Sequence, residues 1–284
     1  VAAGWGRRRH RPTLRAMAYV TIDRSDPAVP VVTLNRPERR NALGTELVQE
    51  GIDAFHELHR DRAARVVVLT GAGEAFCAGA DLKGGNPPPP DAEGRGRVAT
   101  VYRGQEHIVD LMMAVHECDK PVVAAVHGPA VGGGLALVLA SDLVVADPTA
   151  VFGAVFIKVG LTACDIGTSY FLPRIVGATR AAELMLTGRH FTAEEAERWG
   201  VVNRLAGPGD HVAAARSMAA EVAANNEYGV WLTKRGLWAN VDAPSLRHAV
   251  ELENRQQVLG AMTGNLEEAM RAFADGRDPE WGAM

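Results

Sequence analysis

Two short stretches of this chain suit a main chain that must come close to a ligand: Phe76-Cys77-Ala78-Gly79-Ala80-Asp81-Leu82 and Gly128-Pro129-Ala130-Val131-Gly132-Gly133-Gly134. Small side chains leave backbone N–H groups uncovered. Two such donors aimed at one oxygen stabilise a developing oxyanion, and a helix starting after the glycine triplet adds the positive end of its dipole. Leu135-Ala136-Leu137 follows with no ionisable group. Farther on, beyond Asp142 and Asp147, lies Asp165, within Gly160-Leu161-Thr162-Ala163-Cys164-Asp165-Ile166-Gly167-Thr168, and Phe152, Val155, Phe156 and Ile157 precede it. Apolar surroundings raise a carboxyl pKa, which suits a group that both accepts and donates a proton. The same aspartate has a second use, as the cap of a helix beginning near Thr168, a place Thr168 itself can also take.

Other candidates weigh less. His127 ends a strand-like run before a glycine turn, where a hydrogen-bonded turn histidine is the usual role. His107 lies on a helix with Tyr102 and Glu106 near it, but nothing in the spacing requires it to face a pocket. Cys77, Cys118 and Cys164 have no metal-ligand spacing and read as small buried hydrophobes in a reducing, cytoplasmic compartment. The glycine triplet lacks the spacing of a dinucleotide site, so no metal or redox cofactor is expected.

Elements of two kinds must position these groups. Val20–Asp23 and Val31–Asn35 read as strands around Ser25-Asp26-Pro27, and Thr45 to His59 as a helix with Leu47, Val48, Ile52, Phe55 and Leu58 near one face. Val66–Thr70 and Pro121–His127 are continuous apolar runs, the mark of buried strands. Residues 84–97 are a proline-rich loop before a helix over Ala99–Cys118, and the glycine triplet opens a helix to about Ser141 ahead of a strand at Leu143–Ala146. Alternation of this kind predicts an α/β fold with a parallel sheet. From residue 168 onward helices dominate, with a capping-box start at Thr192-Ala193-Glu194-Glu195 and further helices over 208–226, 245–262 and 266–274.

The totals restrict function. A chain of 284 residues, 47% apolar and 23% charged, has room for one large core, and no run approaches the roughly 20 apolar residues of a membrane span. Net charge is −4, but Arg7, Arg8, Arg9, Arg11 and Arg15 fall in an acid-free leader, residues 1–16. Without those five, 25 basic residues face 34 acids, a balance of −9 that argues against a nucleic-acid surface. The leader reads as a start-site artefact or disordered arm in preference to a targeting signal.

The motifs together resemble the enoyl-CoA hydratase/isomerase (crotonase) family from about Tyr19 to Phe273. The likeness runs through Asn35-Arg36-Pro37…Asn41-Ala42-Leu43, Val67-Val68-Leu69-Thr70-Gly71…Phe76-Cys77-Ala78-Gly79-Ala80-Asp81 and Ala125-Val126-His127-Gly128. It continues through the triplet, Leu172-Pro173-Arg174-Ile175-Val176-Gly177 and Leu186-Thr187-Gly188-Arg189. The resemblance implies a crotonase (ClpP/crotonase-like) fold, with a repeated ββα-type core over 17–205 and a helical C-terminal third over 206–284 used for oligomerisation as trimers or hexamers. It implies acyl-CoA thioester substrates, with coenzyme A part of the substrate. It also implies an oxyanion hole from the N–H groups of Ala78 and Gly133, and a coenzyme A site along Arg40, Ala42, Ala78, Ala80, Asp81, Leu82 and Lys83. Arg277 is a further candidate for the phosphates, and Asp81 has the alternative of bracing its own turn.

The two glutamates with which hydratases of the family activate water fall, on the same likeness, at Ala136 and Phe156. Neither transfers a proton. Asp165 is placed similarly to the acid of dienoyl-CoA and ring-type enoyl-CoA isomerases, so double-bond isomerisation leads. A non-catalytic acyl-CoA-binding protein and an enoyl-CoA hydratase with an atypical acid–base group stay open.

Overall fold

The computed structural model describes residues 18–84, 87–89, 92, 94 and 96–282; the expectation for the leader, residues 1–16, lies outside them. The chain opens with an antiparallel pair, β1 (Val20–Asp23) and β2 (Val31–Leu34), in register Val20 to Leu34. Thereafter the main sheet is parallel: β3 (Val67–Gly71), β4 (Val122–Val126), β6 (Leu143–Ala146) and β9 (Arg204–Leu205) extend it in the order β1-β2-β3-β4-β6-β9. Between β2 and β3 runs α1 (Thr45–Arg60), and between β3 and β4 runs α2 (Arg97–His116).

Strand alternation divides the core. Val32, Leu34, Val67, Leu69, Val122, Ala124 and Val126 face the larger cluster with α1 and α2. Val31, Val68, Val123, Ala125 and Val145 face the other way, against Ala215, Met218 and Ala219 of α7 (His211–Ala223). Both faces are therefore covered, which is why these strands read as unbroken apolar runs. It also places α7 in the core, so the expected division after residue 205 cuts through the packed unit.

A second, three-stranded sheet lies beside the first: β5 (Pro129–Val131) parallel to β7 (Val151–Gly153), and β7 antiparallel to β8 (His190–Thr192). These three-residue strands are too short to show a period, and the sequence reading assigned none of them. From β5 the chain turns through Gly132 into α3 (Gly133–Ala140), every residue of which is buried. After β7, a 3-10 turn over Val155–Val159 leads to α4 (Thr168–Val176) and α5 (Ala178–Thr187). The capping box at Thr192 and Glu195 starts α6 (Ala193–Arg198), as its sequence predicts.

Three helices complete the chain: α8 (Glu227–Val241), α9 (Leu246–Ala261) and α10 (Asn265–Asp275). The sequence reading left α8 unassigned, because Gly229, Gly236 and its β-branched and aromatic residues dilute the helical signal. Asn226 starts it by accepting a hydrogen bond from the Gly229 N–H at 2.6 Å. Its docking is polar: buried Lys234 donates to Asp142 at 2.7 Å and to the Lys120 carbonyl, while the Trp238 indole N–H donates to Asp142. Among the described residues no helix is long and apolar enough to cross a membrane.

Candidate functional site

The site forms where three segments meet without side chains between them. Segment 76–81 is bridged on one side to β5, through Cys77 and Ala130, and on the other to Leu43, through Ala80. The triplet then packs down on it. A β-carbon at Gly134 would stand 2.1 Å from the Cys77 carbonyl oxygen, and one at Gly133 would stand 2.7 Å from the Leu43 side chain. Gly132, at φ 55° and ψ −120°, takes a turn open only to glycine. The Gly133 N–H thus stands in the first turn of α3, where the helix dipole favours an anion.

Of the two expected donors, one needs correction. The Ala78 N–H is already given to the Arg40 carbonyl at 2.9 Å. The neighbouring donor is placed differently. In the peptide joining Gly79 to Ala80, the carbonyl accepts from the Leu43 N–H at 2.8 Å. A trans peptide points its N–H the opposite way, so the Ala80 N–H faces away from Leu43. No acceptor for it, or for the Gly133 N–H, is found among the described residues. A β-carbon at Gly79 would come within 3.2 Å of the Gly133 nitrogen, so the two donor segments abut. Spacing alone could not choose between Ala78 and Ala80; the hydrogen-bond ledger of the loop does.

That loop is braced by Asn41, the first residue of the Asn41-Ala42-Leu43 motif. The Asn41 side chain is buried, donates to the Ala72, Ala75 and Phe76 carbonyls, and accepts from the Arg36 N–H at 2.8 Å. Arg40 and Asn41 both hold positive φ, 51° and 55°, to make this turn. Cys77 donates its thiol to the Asn41 carbonyl, and burial pushes that thiol up to about 12. It is a packing group, as expected, and so is buried Cys118; Cys164, expected to be buried, is exposed.

The expected coenzyme A residues divide. Arg40, Ala80, Leu82 and Lys83 are exposed, Leu82 at 69%. Ala42 is buried, its N–H given to the Arg39 carbonyl. Asp81 braces its own turn, since its enclosed carboxylate takes Arg36 at 2.8 Å, Arg39 at 3.6 Å and the Lys83 N–H. Burial works to raise that carboxyl, but the Lys83 N–H and the two guanidinium groups outweigh it and hold it below the usual carboxylate range. Arg277 is occupied too, paired with Glu268 at 2.7 Å and with Asp275 at 3.5 Å.

Ala136 is fully buried, and Phe156 is buried with its ring beside Gly132. Asp165 is half-buried just before α4, and its neighbour Ile166 lays Cδ1 against the position of a Gly133 β-carbon, at 3.4 Å. Asp165 is not a side-chain cap: α4 has Gly167 at its N-cap and no side-chain cap, and the buried Thr168 hydroxyl finds no partner. Burial raises the Asp165 carboxyl above its ordinary value, opposed by hydrogen bonds from Gln105 and the Ile166 N–H. Gln105, absent from the expected site, donates its side-chain amide directly to Asp165 Oδ1. Ile166 sits at φ 43°, a left-handed conformation that is costly for a β-branched residue, by about 1–3 kcal/mol.

Both weighed histidines are structural in their contacts. His107 Nε2 meets Gln49 Oε1 of α1 at 3.1 Å. Two positions from Gln105 it lies roughly 200° around the helix, facing away from Asp165. His127 Nε2 meets the Gly73 carbonyl at 2.9 Å, and its ring stacks on His211 at 4.3 Å.

Comparison with known proteins agrees with this anatomy. The family described as Enoyl-CoA hydratase/isomerase matches residues 24–284. A probable enoyl-CoA hydratase of Mycobacterium tuberculosis is 41% identical over 93% of this chain and 92% of its own. The 1,2-epoxyphenylacetyl-CoA isomerase of Escherichia coli is 32% identical over 93% of this chain and 99% of its own. Among solved structures, a probable enoyl-CoA hydratase/isomerase from Mycobacterium abscessus superposes with a TM-score of 0.88 at 37% identity, covering 93% of this chain and 98% of that one. A fold shared at this level, a family match over nearly the whole chain and the two abutting donor loops make this protein a crotonase-fold member of the enoyl-CoA hydratase/isomerase family.

Proposed function

We propose that the protein binds acyl-CoA thioesters and moves the double bond of an enoyl- or dienoyl-CoA, with Asp165 as the single acid–base group. The observation that carries this reading is the placement of a half-buried, pKa-raised carboxyl next to the residue that packs on Gly133, while Ala136 and Phe156, where the family resemblance sets the hydratase glutamates, carry no acid. The Asp165 carboxylate takes a proton from an acyl carbon, and the electron pair moves through the conjugated system onto the thioester oxygen. The N–H groups of Ala80 and Gly133 hold that oxyanion. The aspartic acid then returns the proton at a different carbon, and the carbonyl re-forms with the double bond displaced. Each donor of this kind is worth about 3–4 kcal/mol in the transition state.

Exposed Arg40 and Lys83 lie beside Ala80 at the place where coenzyme A phosphates would be met. The reading also includes a homo-oligomer, trimer or hexamer, assembled through the C-terminal helices, in the cytoplasm. Hydration with an atypical acid–base group is the second reading, favoured by relatives at 41% identity named probable enoyl-CoA hydratases.

The test is solvent-deuterium exchange into acyl-CoAs, wild type against Asp165→Asn, with coenzyme A thioester affinity measured in parallel. Exchange that is lost at least a hundredfold in the variant, with affinity kept, is the expected result. Solvent oxygen-18 entering the product would replace isomerisation by hydration. Binding without any exchange in the wild type would leave an acyl-CoA-binding protein.

A further inference from the structure

Resting on the reading of Asp165 as proton shuttle, we infer that Gln105 is its positioning residue, a partner matched to both protonation states of the carboxyl. The pair spans two elements 60 residues apart in sequence, with Gln105 on α2 and Asp165 on the loop before α4. The amide donates to Oδ1, leaving Oδ2 as the oxygen that meets the substrate. Ile166 fixes the other end of the arrangement, because its left-handed backbone lays the side chain on Gly133 while its N–H also points at the aspartate.

The chemistry explains why an amide stands there. A shuttle alternates between a carboxylate, which needs a donor, and a carboxylic acid, which needs an acceptor for its O–H. A lysine or arginine would serve the first state and oppose the second. A glutamate would serve the second and oppose the first. Glutamine carries NH2 and C=O on one end, and a half-turn of that end exchanges them. Among the described residues no charged side chain pairs with this carboxyl; the Gln105 amide and the Ile166 N–H are the donors that meet it. Arg103 and Glu106, next to Gln105 on α2, are engaged with each other. Val98, Val101 and Tyr102 share the helix face of Gln105 by i, i+3, i+4, i+7 spacing and are exposed apolar groups, so the amide stands at the end of an apolar stripe.

Two substitutions with opposite expected signs test this. Gln105 is exposed, so neither disturbs the core; thermal melts of each variant check the fold. In Gln105→Leu the carboxylate loses a donor, and the acid limb of the kcat/KM profile for proton exchange moves to higher pH. In Gln105→Lys a fixed positive charge favours the carboxylate, and the limb moves to lower pH while kcat falls roughly tenfold or more, because the return of the proton is opposed. KM stays within about threefold in both. A residue that only packs would not send the two limbs in opposite directions. If both limbs stay at the wild-type pH while Asp165→Asn abolishes exchange, the role of Gln105 is overturned and the shuttle survives. If Asp165→Asn exchanges at the wild-type rate, the shuttle and this inference fall together.

Discussion

A carboxyl raised above its ordinary pKa by burial is a cost to the fold, and at Asp165 that cost has a measurable sign. In the unfolded chain the group ionises at its ordinary value, and in the folded one it ionises later. The penalty is therefore absent at low pH, grows as pH passes from the unfolded to the folded value, and is complete above the latter. Asp165→Asn keeps the oxygen that accepts from Gln105 while removing the desolvated charge. The variant is expected to melt at the wild-type temperature or higher, with the gap widening as pH rises from the ordinary carboxylate range through the raised value of Asp165, as it loses activity. A melting temperature below wild type across that range would make Asp165 a structural brace. At this scale the sequence carried much of the site. Small residues at 78–80 and 132–134 and the missing acids at 136 and 156 are visible as letters. Which N–H is free is not, because the answer lies in the Arg40 carbonyl that takes Ala78 and the Leu43 N–H that turns Ala80 outward. Gln105 left no mark either, since an exposed glutamine on a helix has no period or motif and acquires meaning only through a contact 60 positions away.

The element that most needs explaining is α8, which docks through an ion pair and the single ring of Trp238 instead of a hydrophobic stripe. Lys234 and Asp142 form an enclosed pair, with Trp238 and the Val122 N–H completing the carboxylate. At its far end Asp242 accepts from the Tyr170 hydroxyl and from Arg174, both on α4, the helix that Asp165 precedes. The helix that Lys234 anchors is thus tied, through Asp242, to the helix that follows Asp165. Lys234→Met leaves Asp142 without its cation and is expected to destabilise by about 3 kcal/mol; the double change with Asp142→Asn recovers part of that loss. Chemical denaturation of the three variants measures the coupling, and simple additivity would mean that the pair is not an anchor. Polar docking is also why α8 escaped the sequence reading, which searches for apolar periodicity. The central strands β2, β3, β4 and β6 were legible for the converse reason: both of their faces are covered, one by α1 and α2 and the other by α7; β9, two half-buried residues, left no such run. The small sheet stayed hidden because its three-residue strands are too short to show a period.

At the scale of the whole molecule, the C-terminal helices end in a cluster of exposed apolar side chains. No residue of α9 is buried. Val258, Leu259 and Met262 at its end, then Leu266, Met270 and Phe273 of α10, are all exposed, Phe273 at 90%. Leu266, Met270 and Phe273 follow i, i+4, i+7 and share one face. Such a face marks an interaction site, and the homo-oligomer proposed above would cover it with another copy of the chain. Each large side chain transferred from water contributes about 1.5–3 kcal/mol, and closed symmetry repeats the contribution at every interface. The double change Met270→Glu with Phe273→Asp places like charges on that face at each interface. Light scattering with size separation should show the wild type as a trimer or hexamer at micromolar concentration, and the double variant shifted to smaller species. Since Asp165 and the donor loops lie in the core unit of a single chain, the dissociated variant should retain thioester binding. A monomeric wild type would remove the assembly, and an unshifted variant would move the interface off α10.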